Sequence, residues 1–96
     1  PVDGNDPATD WQGLHTVDES PNVFNPPTGW IQNTNNWPYS AAGRFSPRAS
    51  EYPRYFDTAG ENPRGVHAIE VLSRETAFDL DRLVAAAYDP HLTAFD

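Results

Sequence analysis

The sequence lacks cysteine altogether among its 96 residues. It can therefore form no disulfide, no thiolate metal site and no cysteine nucleophile, and it leaves the redox compartment open. Basic residues are scarce, because six Lys and Arg, which form no run, stand against 14 Asp and Glu. The resulting net charge of −8 argues against binding to nucleic acid or to an anionic membrane surface. No window of the sequence approaches the roughly 18 apolar residues that a membrane-spanning helix needs.

Residues that build hydrophobic cores are also few, since Leu, Ile, Val and Phe make up 18 of the 96 residues. This share lies just under the roughly 20% level below which highly charged chains tend toward disorder. Yet the chain holds three Trp, four Tyr and five Phe. Each packed aromatic side chain buries about 150–250 Å², so this set is too large for a solvated linker. We therefore expect a piece of a larger protein whose aromatic side chains pack against absent partners.

The first two-thirds of the chain contains turn-forming residues and short extended segments. Residues 1–22 carry Asp-Gly, Asp-Pro and Ser-Pro breakers and are expected to be irregular. Residues 23–31 are expected to be extended around a Pro-Pro-Thr-Gly turn, with Pro26 and Pro27 confining any strand pair to a sheet edge. Residues 39–61 form a long loop rich in aromatic residues, proline and arginine.

The last third changes to a helical pattern. Asn62 is a good N-cap followed by proline, and apolar residues at a spacing of three predict a helix over residues 62–74. Asp79 caps a second helix that Pro90 ends. One apolar stripe runs along it, formed by Leu80, Leu83, Val84, Ala87 and Tyr88. The predicted fold class is α+β, with a strand- and loop-rich part at residues 1–61 and a helical part at 62–96.

Three asparagines cluster in the segment 25–38, which is bounded by turn residues on one side and by a proline on the other. Asparagine is a poor strand former, so Asn33, Asn35 and Asn36 cost stability unless they have a role. They either stabilise a turn through side-chain-to-backbone bonds or present an amide NH₂ to a developing oxyanion. Arg64 lies in the first turn of a predicted helix, where the helix dipole disfavours a cation. It is either held by a specific partner or is a plain surface arginine.

Other catalytic patterns are weak. His15, His67 and His91 lie far apart without metal-ligand spacing, so we interpret them as surface or helix-face histidines. The serines show no Gly-x-Ser-x-Gly motif and the glycines form no phosphate-binding loop. We therefore expect no cofactor in this piece of chain.

The segment Asn-Pro-Pro-Thr-Gly-Trp-Ile-Gln-Asn-Thr-Asn-Asn-Trp-Pro at residues 25–38 resembles a motif of the penicillin acylase family. It is most similar to the branch of cephalosporin, aculeacin A and acyl-homoserine lactone acylases. Asp-Trp-Gln-Gly at residues 10–13 and Asn-Pro-Arg-Gly at residues 62–65 continue the resemblance in the same order. The resemblance therefore covers nearly the whole chain.

The resemblance implies an interior piece of the large catalytic subunit of an N-terminal-nucleophile hydrolase, located in the periplasm or secreted. The nucleophile would be the first residue of that subunit, a serine outside this piece, so the piece alone would be inactive. Asn35 would be the oxyanion donor, with Asn33 as second choice, and Arg64 would brace the donor. The partners would be the rest of the acylase precursor and a small acyl amide substrate. The calcium ligands of the family would lie elsewhere in the protein.

Two alternatives remain open from the sequence. A small non-catalytic module could bind ligands through Trp30, Trp37, Tyr39 and the asparagines. The other alternative is a structural lid domain that carries no active-site residue.

Overall fold

Short local turns and two helices make up the regular structure of this chain. A computed structural model describes residues 2–96 and, within them, contains helix α1 at Pro63–Ser73 and helix α2 at Leu80–Ala87. Six 3₁₀ turns of three residues each accompany them, at Pro7–Thr9, Pro38–Ser40, Gly43–Phe45, Ala49–Glu51, Arg54–Phe56 and Thr93–Phe95. α1 packs on the last of these turns.

The predicted α+β fold with short strands is wrong, because residues 2–96 contain no strand. A strand exists through its hydrogen-bonded ladder, and Pro26 and Pro27 have no N–H group to donate to one. Only the predicted turn forms in this segment, where the Gly29 N–H donates to the Pro26 carbonyl at 2.9 Å. Gly29 adopts a φ of 76°, a left-handed conformation that glycine accepts without strain.

Both helices begin at the residues that the sequence predicted as caps. Asn62 Oδ1 accepts a hydrogen bond from the Gly65 N–H at 2.9 Å, and Asp79 Oδ1 accepts one from the Arg82 N–H at 2.8 Å. These bonds satisfy N–H groups that have no partner inside the helix. The apolar stripe of α2 is not covered, since Leu80 is 75% exposed and Tyr88 is 81% exposed.

The chain is extended and poorly covered by its own residues. Its radius of gyration is 17.5 Å, compared with about 12–13 Å for a compact domain of this length. Its accessible surface is 7713 Å², compared with about 5,500 Å² for a globular protein of its mass. The buried aliphatic residues of the described chain are Ala41, Ala42 and Val71. These dimensions favour the prediction that the chain is a piece of a larger protein.

A polar loop at residues 32–41 is closed by hydrogen bonds between its two ends. The Gln32 N–H donates to the Ala41 carbonyl at 2.8 Å, and Gln32 Nε2 donates to the Ser40 carbonyl at 3.1 Å. These bonds join the two ends of the loop and bury Gln32 beside Ala41 and Ala42. The loop thereby holds the asparagine cluster against the start of α1. Within residues 2–96, neither helix has the length and apolar character needed to cross a membrane.

Candidate active site

Two of the clustered asparagines stabilise the turn at Asn33–Asn36, which we call the asparagine turn. Asn33 Oδ1 accepts a hydrogen bond from the Asn35 N–H at 3.0 Å, and Asn36 Oδ1 accepts one from the Thr34 N–H at 3.2 Å. Between them Asn35 takes a φ of 59°, the left-handed region that asparagine tolerates better than most residues. The interpretation of the cluster as a side-chain-stabilised turn is therefore confirmed for Asn33 and Asn36.

The asparagine turn is fastened to the first residues of α1. The Thr34 carbonyl accepts two hydrogen bonds, from Asn62 Nδ2 at 3.1 Å and from Arg64 Nη2 at 2.7 Å. Asn62 is also the helix cap, so one side chain serves both the turn and the helix. The peptide group between Thr34 and Asn35 is thus held at its oxygen by α1 and at its nitrogen by Asn33.

The side chain of Asn35 is oriented by Arg64. Arg64 Nη2 lies 3.3 Å from Asn35 Oδ1. A guanidinium group only donates, so it selects the amide oxygen and turns Nδ2 away from itself. Within residues 2–96 no acceptor bonds this Nδ2, and the side chain is exposed. Arg64 therefore has specific partners, which explains a cation placed in the first turn of a helix.

Asn36 is less suited to donate outward than Asn35, whereas Asn33 differs from Asn35 in what holds its amide oxygen. Asn36 is 7% exposed, and its Nδ2 donates to Glu61 Oε1 at 2.6 Å and to Ser40 Oγ at 3.3 Å. Asn33 is exposed, and its amide oxygen accepts from the backbone of the turn. The amides of Asn33 and Asn35 both combine a held oxygen with an NH₂ group that donates to no acceptor within residues 2–96, but only the amide of Asn35 is held by Arg64.

Glu61 lies behind the asparagine turn, and the sequence alone does not single it out. Its carboxylate accepts hydrogen bonds from Asn36 Nδ2, from the Ser40 hydroxyl and from the Asn62 N–H. Burial raises the pKa of the Glu61 carboxyl, but the bonds from Ser40, Asn62 and Asn36 together hold this pKa below its usual value. An acidic residue just before a helix is common because it favours the dipole, so no sequence pattern set Glu61 apart.

Gly65 allows α1 to approach this carboxylate. A Cβ at this position would lie 2.1 Å from Glu61 Oε1, 2.6 Å from Asn36 Nδ2 and 3.0 Å from Thr34 Oγ1. Gly65 is buried, and a side chain there would displace the groups that hold the turn. A glycine in the first turn weakens a helix, and the structure shows why the space is nevertheless needed here.

The histidines lie away from the asparagine turn. The rings of His67 and His91 lie 6.0 Å apart, a pairing that their separation in sequence did not predict. Ligand atoms of Glu70, His91 and Asp96 lie within 4.8 Å of one another, as a metal site would need. However, His91 Nε2 already pairs with Asp96 Oδ2 at 2.8 Å, which raises the pKa of His91, and Glu70 pairs with Arg74 at 2.5 Å. Ion pairing accounts for this cluster.

The aromatic residues proposed for a ligand-binding module pack against their neighbours. Trp37 meets Tyr39 edge-on with ring centroids 5.9 Å apart, and Tyr39 stacks on Tyr52 at 6.4 Å. Trp37 Nε1 donates to Ser40 Oγ at 3.2 Å, and the Trp30 ring lies over Gly43. These side chains are half-buried and form no open platform. The geometry therefore favours the asparagine turn as the functional site.

Comparison with known proteins agrees with the family resemblance of the segment that contains the asparagine turn. The model of the penicillin amidase family matches residues 1–96, the full length of the chain. No solved structure matches the chain.

Proposed function

Because the chain belongs to the penicillin amidase family, we propose that it carries the oxyanion-binding part of an acylase active site. Membership in this family indicates acylase-type hydrolysis of an amide, acylase subunits and a small-molecule substrate. In the finer assignment, Asn35 donates to the oxyanion and Arg64 is its positioning residue. The cephalosporin, aculeacin A and acyl-homoserine lactone acylase branch, the interior position in the large subunit and a periplasmic or secreted location belong to this proposal.

The reaction begins with a serine hydroxyl at the start of the large subunit, outside this chain. The serine oxygen bonds to the acyl carbon of the amide, and the electron pair of the C=O π bond moves onto the carbonyl oxygen. The α-amino group of the serine takes the hydroxyl proton and delivers it to the leaving amine when the C–N bond breaks. Water then attacks the acyl-enzyme ester, which releases the carboxylic acid and restores the serine.

Asn35 acts while the carbonyl oxygen carries negative charge. Its Nδ2 donates a hydrogen bond to this oxygen, and Arg64 holds the amide so that it need not rotate during the reaction. A preorganised neutral donor stabilises the oxyanion more than the uncharged carbonyl of the substrate. Such a donor therefore lowers the barrier without tightening substrate binding to the same extent.

One observation carries the assignment, namely the contact of Arg64 Nη2 with both Asn35 Oδ1 and the Thr34 carbonyl. It fixes the backbone and the side chain of Asn35 from the same group. Asn33 supports the donor by holding the Asn35 N–H, so its position next to the site has a structural explanation.

Removing the Asn35 side chain in the full-length enzyme tests the proposal. Because φ is 59° at this position, Asn35→Gly is the cleaner variant, and Asn35→Ala should follow it with some backbone strain. We expect kcat to fall about 100- to 1,000-fold while KM changes by less than about threefold. Steady-state hydrolysis of an acyl amide measures both constants.

Asn5→Ala is the matched control, since Asn5 is exposed and its side chain forms no hydrogen bond in the described chain. It should retain full activity. A kcat of Asn35→Gly within about threefold of the wild type would remove Asn35 from the mechanism.

A further inference from the structure

We propose that Glu61 is a positioning residue of this active site, which fixes the asparagine turn through Asn36 so that Asn35 presents its amide. This inference rests on the proposed function of Asn35. Glu61 does not reach the amide of Asn35 itself. It acts through the side chain of Asn36, which follows Asn35 and in turn accepts from the N–H of Thr34, which precedes it. Three features of the geometry support this inference.

The first feature is the orientation of the Asn36 amide. An ionised carboxylate only accepts, so Glu61 Oε1 selects the Nδ2 of Asn36, at 2.6 Å. Asn36 Oδ1 is thereby directed to the Thr34 N–H at 3.2 Å. In the reversed orientation, the amide oxygen would face the carboxylate and the NH₂ group would face an N–H group. Both hydrogen bonds would be lost, and with them the support of the turn just before Asn35.

The second feature is that the same carboxylate joins the two chain segments that form the site. Glu61 Oε1 accepts from the Asn62 N–H at 2.9 Å, at the residue that caps α1. Its other oxygen accepts from the Ser40 hydroxyl. Ser40 Oγ in turn accepts from Trp37 Nε1 at 3.2 Å, so the segment after the turn is held as well. Glu61 therefore sets the distance between the asparagine turn and the helix that carries Arg64.

The third feature is the space reserved for the carboxylate. Gly65 places its Cα where any Cβ would collide with Glu61 Oε1 and Asn36 Nδ2. Hydrogen bonds to an ionised acceptor in such a partly buried place are stronger and more directional than those between neutral groups. A carboxylate with this many donors and this little room holds the turn more firmly than a surface glutamate would.

Glu61→Gln in the full-length enzyme tests the inference. The substitution keeps the shape of the side chain but replaces one acceptor oxygen by an NH₂ group, which then faces the donors of Asn36, Ser40 or Asn62. We expect kcat to fall about 10- to 100-fold, the cost of a small misplacement of a catalytic group, with KM within about threefold. Glu51→Gln is the matched control, because Glu51 is exposed and its carboxylate has no hydrogen bond within residues 2–96. It should leave kcat unchanged.

The Asn35→Gly background separates positioning from a general structural effect. If Glu61 acts through Asn35, adding Glu61→Gln to Asn35→Gly lowers kcat by less than about twofold more. A further tenfold loss in the double variant would show a separate role and overturn the inference. Wild-type kcat for Glu61→Gln beside a collapsed kcat for Asn35→Gly would overturn it too, while the proposed function would stand. Full activity of Asn35→Gly would end both.

Ser40→Ala provides a second test if Glu61→Gln yields no folded enzyme. It removes one donor to the carboxylate and one acceptor of Asn36 Nδ2, and leaves the charge of Glu61 in place. We expect a drop in kcat of about three- to tenfold that disappears in the Asn35→Gly background. Unchanged kcat in Ser40→Ala, or an equal drop in both backgrounds, would overturn the inference.

Discussion

Asn35→Asp should abolish catalysis while leaving the fold intact. The substitution replaces the Nδ2 donor by an oxygen and keeps the size of the side chain. Arg64 Nη2, 3.3 Å from the retained oxygen, then pairs with a carboxylate. An exposed pair of this kind contributes about 0.2–1 kcal/mol, so the free energy of unfolding should stay equal or rise slightly.

Asn35→Asp should be unfavourable for catalysis, by a much larger free energy than it adds to the stability of the fold. Loss of one oxyanion donor costs about 2.7–4 kcal/mol of transition-state stabilisation. The new negative charge also repels the oxyanion, by about 4 kcal/mol at 4 Å for an effective dielectric constant of about 20. The two effects together predict that kcat falls by at least about 1,000-fold. Steady-state kinetics and urea unfolding of the same full-length preparation measure the two quantities.

Asn33→Asp is the matched control because it makes the same chemical change two residues away. Asn33 uses its oxygen to accept from the Asn35 N–H, and an aspartate retains this acceptor. The variant should keep kcat within about threefold of the wild type. If Asn33→Asp abolishes activity and Asn35→Asp retains it, the donor is Asn33 and the assignment made from Arg64 is refuted.

Two more predictions concern the groups behind the turn. Gly65→Ala should lower the free energy of unfolding of the full-length protein by about 1–3 kcal/mol, because its Cβ would lie 2.1 Å from Glu61 Oε1. Gly4→Ala, whose Cβ meets no atom within 4 Å, should change it little; equal urea midpoints for both variants would contradict the crowding at Gly65. The second prediction follows from the pKa of Glu61, which lies below its ordinary value of 4.5 in the folded chain. A lowered folded pKa contributes stability that is fully present above the unfolded value and is lost as the pH falls through the folded value. The stability difference between wild type and Glu61→Gln should therefore be constant above about pH 5.5 and shrink below 4.5; a difference independent of pH from 3 to 7 would contradict it.

Local signals in the sequence predicted the helices well. Asn62 and Asp79 cap α1 and α2 as expected, since a cap depends on a side chain and N–H groups two or three residues away. The turn before Gly29 also formed as expected. The strand pair did not, because pairing depends on a partner strand and on free N–H groups, and proline removes the latter. Residues 2–96 provide no such partner.

The site was predictable in part. The resemblance to the penicillin acylase family directed attention to Asn33, Asn35 and Arg64, and the structure brings Arg64 to Asn35. Whether Arg64 supports a catalytic donor stays a prediction. Sequence patterns could not show that Asn36 is turned by Glu61, or that Gly65 makes room for that carboxylate. The Asn36–Glu61 contact joins residues 25 positions apart, and the crowding at Gly65 depends on the same Asn36 side chain, so no periodicity or spacing encodes them.

By itself, the sequence determined the chemistry available to this protein: no thiol, few basic groups, three clustered amides and two capped helices. Only the tertiary structure decided how the three amides divide their roles. An asparagine side chain both donates and accepts, so its sequence position leaves its orientation open. A guanidinium that only donates and a carboxylate that only accepts select one orientation each. Arg64 therefore leaves the NH₂ group of Asn35 without an acceptor in the described residues 2–96, whereas Glu61 engages that of Asn36.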